Sequence, residues 1–150
     1  MKELTKTQAY TFLFGGIMMV IGALTNLVAD IPILVPTLLA EMLHEIGACI
    51  FLVGAVCFAS IQMMQTYNGE DITLKRLRKI QIIGDIAFIL AGLFLMEKSF
   101  RFTFPFFSGS IEQLNFYAQY INNNWIVFLL IAAVLEVYTT HRIANLIKKT

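Results

Sequence analysis

Charge is what this sequence has least of. Asp, Glu, Lys and Arg make up only 14% of its 150 residues, against about 25% in soluble globular chains. The few charges nearly cancel, 11 basic against 10 acidic for a formal +1, so there is no strongly basic face of the kind that holds nucleic acid. Two cysteines cannot build a disulfide-rich secreted scaffold. The sequence contains no Cys-x-x-Cys, no glycine-rich phosphate loop and no serine-nucleophile elbow. Its two histidines, His44 and His141, fall at opposite ends of the apolar segments and cannot ligate one haem.

What is abundant is apolar surface: 58% of residues are hydrophobic and 13% aromatic. Disorder is excluded, because low hydrophobicity and high net charge are both missing. The expectation is an all-α integral membrane protein, a four-helix bundle forming one transmembrane domain over 1–150. Its spans should lie at about 9–29, 38–65, 76–97 and 125–146, each near the roughly 20 apolar residues that cross a bilayer as a helix. The first run is too long for a signal-peptide core, and further apolar segments come after it, so it reads as a span. Pro32 and Pro36 mark the first turn, Asn68-Gly69 the second.

Basic residues set an orientation. Lys2, Lys6, Lys75, Arg76, Arg78, Lys79, Arg142, Lys148 and Lys149 fall on one side of a four-span layout, and only Lys98 and Arg101 on the other. Both termini are therefore expected in the cytoplasm. The cluster Lys75, Arg76, Arg78 and Lys79 is also a candidate contact for anionic lipid headgroups. Between spans three and four, five phenylalanines from Phe100 to Phe107 suit the bilayer–water interface. Ser110 and Gln113 fit a capping box that opens a short interfacial helix, with Ile111, Leu114, Ala118 and Ile121 on one face.

Ionisable groups inside a bilayer cost about 2.5–3.5 kcal/mol each at a helix centre on insertion scales, so each calls for a reason. They form two groups. The inner one is Asp85 and Glu136, each six residues from a basic residue at the cytoplasmic side (Lys79 and Arg142) and so at similar depth. If the third and fourth spans touch, the two carboxylates meet, and in a low dielectric they cannot both ionise easily. That makes them candidates for a proton or ion site. The outer group is Asn26, Asp30, Glu41, His44 and Glu45. Glu41-x-x-His44 has the ligand spacing of di-iron carboxylate bundles, yet no second such pair occurs. No catalytic residue, metal ligand set or cofactor is expected.

Two alignments suggest a weak internal repeat. Phe14-Gly15-Gly16 through Gly22-Ala23-Leu24 can be laid on Ile83-Gly84-Asp85 through Ala91-Gly92-Leu93, and 51–56 on 129–134. Small residues recur in any packed membrane helix, and that is the preferred reading.

The stretch Phe58-Ala59-Ser60-Ile61-Gln62-Met63-Met64-Gln65, the basic run after it and Tyr138-Thr139-Thr140-His141-Arg142 resemble uncharacterised small four-span bacterial inner-membrane proteins. The resemblance implies a bacterial inner membrane and carries no activity. The layout is also generally similar to the DoxX-like four-span proteins, without a shared diagnostic motif.

The leading expectation is a non-enzymatic protein acting by association, as a homo-oligomer or as an accessory of a larger membrane complex. Small residues at Gly15, Gly22 and Asn26, at Gly47, Gly54 and Ala55, and at Gly84, Ala87 and Ala91 offer close-contact faces for it. The first alternative is a small transporter or channel subunit using Asp85 and Glu136. The second is a redox or metal protein using Glu41, His44 and Glu45. The bilayer is the one partner the composition requires, and nucleic acid is not one.

Overall fold

The structure is a computed structural model that describes residues 4–65 and 69–148. Lys2, Lys149 and Asn68, which entered the charge bias and a turn signal, lie outside the described residues. All regular structure among the described residues is helical: α1 Lys6–Ala29, α2 Thr37–Met64, α3 Ile72–Phe100, α4 Phe104–Phe107, α5 Ile111–Tyr117 and α6 Trp125–Ile147, with a π-helical turn Ala118–Asn122 between the last two. Four segments, namely α1, α2, α3 and the stretch Ile111–Ile147 that ends in α6, are long and apolar enough to cross a membrane.

The helix ends obey their capping chemistry, which reaches beyond the apolar runs. Thr5 and Gln8 form a complete capping box at the start of α1, so the helix begins before the uncharged run does. Asp71 caps α3 by accepting from the backbone N–H groups of Thr73 and Leu74. As a result α3 begins four residues before the expected 76, and Lys75, Arg76, Arg78 and Lys79 all stand on helix. At its far end α3 stops at Arg101, whose φ of 52° is left-handed, a conformation that ends helices. The expected short helix is present as α5. Ser110 Oγ accepts from Gln113 N–H at 3.2 Å, which is its half of the capping box. The buried face differs from the expected one. Tyr117 is the buried residue of α5, whereas Ile111 and Leu114 are exposed; the π-helical turn then shifts the helical register from Ala118 onward.

Long helices pack in chain order, α1 on α2, α2 on α3 and α3 on α6, and α1 shares no extended contact with α6 among the described residues. The α1–α2 seam is made of glycine. A Cβ on Gly22 would stand 2.6 Å from both the Gly47 carbonyl oxygen and the Phe51 nitrogen, and one on Gly54 would stand 2.7 Å from the Gly15 carbonyl oxygen. Only hydrogen at these positions lets the two backbones touch, the arrangement that drives helix association in lipid. Next to this seam Phe51, Leu95 and Trp125 are fully buried. Phe58 stacks on Phe12 with centroids 4.2 Å apart and meets Phe88 edge-on at 5.8 Å, tying α1, α2 and α3 together.

The small-residue faces that the sequence offered for association are thus used inside the chain. Gly15, Gly22, Gly47 and Gly54 join α1 to α2, Gly92 meets Leu52 of α2, and Gly84 meets Leu135 and Ala132 of α6. At one aligned position the contacts correspond: Gly15 lies against Gly54, and Gly84 and Ala132 lie against each other, with a Gly84 Cβ 3.6 Å from the Ala132 carbonyl oxygen. In the first hairpin, Gly16 and Phe58 hold the positions that Asp85 and Glu136 hold in the second.

Candidate functional site

The helices α3 and α6 do pack together, and they bring the inner pair into one largely buried cluster at the end of the molecule that holds the start of α1 and the end of α6. Arg78, Gln81 and Asp85 stand at spacings of three and four on α3, so they share one face. Glu136 and Thr140 do the same on α6, and Gln62 comes from the last turn of α2. Asp85 is fully buried, and Gln62, Arg78 and Gln81 are 3%, 7% and 5% exposed.

The hydrogen bonds of this cluster are lopsided. Glu136 Oε1 accepts from Gln62 Nε2 at 2.6 Å, from Thr140 Oγ1 at 3.0 Å and from Gln81 Nε2 at 3.1 Å. Its second oxygen, Oε2, is buried with no partner, as are Gln62 Oε1 and both carboxyl oxygens of Asp85. The guanidinium of Arg78 is spent on other acceptors: Nη2 donates to the carbonyl oxygens of Gln62, at 2.7 Å, and of Gln65, and Nη1 donates to Gln81 Oε1. The charged neighbours of Asp85 are Glu136 and Arg78. With both carboxyls ionised the cluster has two negative charges against one positive, an excess of one. Buried polar atoms without partners are rare and costly, and here all four are acceptors.

A cleft of about 250 Å³ opens onto the cluster. Gln62, Gln65, Arg78, Gln81, Glu136 and Thr140 form its polar floor, and Phe12, Ile143, Ala144 and Ile147 its apolar walls. Because its walls come from α1 and α6, which do not pack along each other, the cleft lies on the flank that the chain leaves open.

The outer group separates in the structure. Asn26 is fully buried; its Nδ2 donates to the Gly22 carbonyl at 3.0 Å, which turns its Oδ1 toward His44 Nδ1, also at 3.0 Å. The other ring nitrogen, Nε2, lies 3.3 Å from Asp30 Oδ1, and Lys98 Nζ lies 2.7 Å from Asp30 Oδ2. Ser99 Oγ donates to the His44 carbonyl at 3.0 Å. Asn26, Asp30 and His44 therefore form a strap that joins α1, α2 and α3 at the loop end. Glu41 and Glu45 are exposed and take no part in it. Among the described residues no three His, Cys, Asp or Glu side chains gather as metal ligands.

Two further features go beyond the sequence reading, which set Glu97 at the level of the outer group without its partners. Glu97, 8% exposed, accepts from Thr103 N–H at 3.0 Å, from Thr103 Oγ1 at 2.8 Å and from Tyr117 OH at 2.8 Å. It fastens α5 to the end of α3, a long-range pairing that no sequence period announces. Gln81 was also missed, although its place between Arg78 and Asp85 on one helix face was a usable signal. The basic run divides as well. Lys75, Arg76 and Lys79 are exposed, as a headgroup contact requires, whereas Arg78 is buried, with Nη1 and Nη2 bonded to Gln81 and to the Gln62 and Gln65 carbonyls. Compared with known families, curated proteins and solved structures, the chain matches none.

Proposed function

We propose that this chain is a small transporter or channel subunit of a bacterial inner membrane that binds one positive charge, a proton or a monovalent cation, at Asp85 and Glu136. The observation that carries this reading is the set of four buried acceptor atoms without donors, in a cluster where two carboxyls face one guanidinium. A structural network of the same residues would satisfy its own acceptors; this one leaves them open to a proton or a donor. Both termini face the cytoplasm in this proposal. Support comes from the exposed Lys6, Lys75, Arg76, Lys79, Arg142 and Lys148 at the end that holds the cleft.

The test is cation-dependent flux in proteoliposomes carrying a trapped pH indicator, under an imposed proton or potassium gradient. Wild-type protein moves charge, while Asp85→Asn and Glu136→Gln slow it at least tenfold. Unchanged flux in both variants removes these residues from the proposal.

A second reading has its own support. Four helices are few to enclose a path, and the flank between α1 and α6 is open, so association with a second copy or a larger membrane partner completes the wall. Native mass spectrometry of protein extracted gently from its host membrane decides this. A defined complex supports association, and a bare monomer opposes it.

A further inference from the structure

Resting on the cation-binding reading, we infer that the positive charge this site takes is a proton, admitted by Glu136 from the cleft and stored on Asp85 behind it, and that metal cations are excluded. The two carboxyls differ in access. Glu136 is half-buried and lines the cleft, whereas Asp85 is fully buried and takes no part in the lining. They are neighbours across the seam of α3 and α6: a Cβ on Gly84, next to Asp85 in the chain, would stand 3.9 Å from the Glu136 nitrogen. Their hydrogen bonds differ as well. Glu136 Oε1 accepts from Gln62, Gln81 and Thr140, while neither oxygen of Asp85 has a donor. Arg78 and the two amides keep further N–H groups, yet none of them reaches Asp85 or Glu136 Oε2. A carboxyl that holds a proton carries its own O–H donor, and a donor is what these buried oxygens lack.

Room and charge set the proton apart from other cations. The four unpartnered oxygens have no accessible surface, so nothing with a volume touches them from the cleft; a proton arrives by exchange of O–H bonds and needs no such surface. A hard metal ion takes about six oxygens, and the Gln62 and Gln65 carbonyls that could serve already accept from Arg78. That guanidinium also holds a positive charge where a second cation would have to sit. The other charged side chains of the packed helices lie elsewhere. Lys6 stands at the start of α1, and Glu41, His44 and Glu45 stand at the opposite end of α2; Lys75, Arg76, Lys79, His141 and Arg142 are exposed. On uptake, an O–H bond of hydronium in the cleft breaks as one forms on Glu136, leaving water. The Glu136 O–H then breaks as one forms on Asp85, and Glu136 returns to a carboxylate. Release is the reverse.

The test is infrared spectroscopy of the protein in lipid films, exchanged from water to deuterium oxide at fixed neutral pH, in N-methylglucamine, sodium or potassium chloride. Wild type should show a protonated-carboxyl band that Asp85→Asn lacks, identical in the three salts, and the band should shift on deuterium exchange. Glu136→Gln should retain a band, moved in frequency by the altered neighbour, and slow its exchange at least tenfold, because Asp85 loses its way to the cleft. The amide I band of the same spectra verifies the helices of each variant, and the salt comparison on wild type stands without either variant. Equal exchange rates in wild type and Glu136→Gln overturn the inference. Suppression of the band by sodium or potassium also overturns it, while leaving the cation reading in place. Absence of any band that belongs to Asp85, with no response to either salt, overturns both.

Discussion

A pair of alanine substitutions on one helix measures how much of this fold rests on backbone contact. Gly16 and Gly22 both lie within α1, so replacing either by alanine brings the same gain in helix propensity, about 1 kcal/mol. Their surroundings differ. A Cβ at Gly16 meets nothing nearer than the Phe58 ring at 3.7 Å, an ordinary contact, whereas one at Gly22 stands 2.6 Å from backbone atoms of Gly47 and Phe51. Carbon contacts are comfortable at about 3.5–4.0 Å, so α1 and α2 must part by on the order of 1 Å at Gly22 to admit the methyl group. Overpacking of this kind costs about 1–3 kcal/mol. Because propensity cancels between the two variants, G22A should be less stable than G16A by that amount. Unfolding by sodium dodecyl sulfate in mixed micelles, monitored by circular dichroism, reads the difference. Equal stability of the two variants would refute a glycine seam between α1 and α2.

Other perturbations separate the remaining contacts. Arg78→Ala leaves the Gln62 and Gln65 carbonyls and Gln81 without their donor and should cost about 3 kcal/mol or more in the same assay, as breaking a buried charged network does. Lys75→Ala, on the exposed face, should fall within about 0.5 kcal/mol of wild type. Tyr117→Phe removes the hydroxyl that Glu97 accepts from; it should cost about 1 kcal/mol and speed amide exchange across α5, measured by mass spectrometry. Asp30→Ala breaks the pair with Lys98, but Asp30 is 43% exposed. Its loss should therefore cost less than about 1 kcal/mol and matter less at high salt, as a salt series of the unfolding assay would show.

The four long helices were legible because a candidate span must be long and apolar, and this sequence carries that signal in runs with few charges. The end of α2 nearest Pro36 was legible too, since the helix starts at Thr37 as expected. Helix ends set by polar capping, at Thr5 and Asp71, escaped the apolar reading because a capped helix continues into charged sequence. Proximity of Asp85 and Glu136 was anticipated from their matching depth, with Gln62 and Arg78 on the same side; the role of Gln81, and Arg78 bonding glutamines and carbonyls in place of the carboxylates, was not. A glutamine looks neutral in composition, and only the packing of α2 and α3 on α6 shows which acceptor its amide serves. The basic run misled for a related reason. Topology explains four cations at a membrane edge equally well whether or not one of them turns inward. The Glu97 clamp could not be read at all, because it joins residues brought together by the left-handed turn at Arg101 and the short helices beyond it.

The proposed uptake of one positive charge by Asp85 and Glu136 is tested at the carboxyl groups themselves, by infrared difference spectroscopy of the protein in lipid during a pH titration. A protonated-carboxyl band should titrate in wild type, and disappear or move in Asp85→Asn or Glu136→Gln. Identical difference spectra in wild type and both variants would contradict a charge-binding role for the pair.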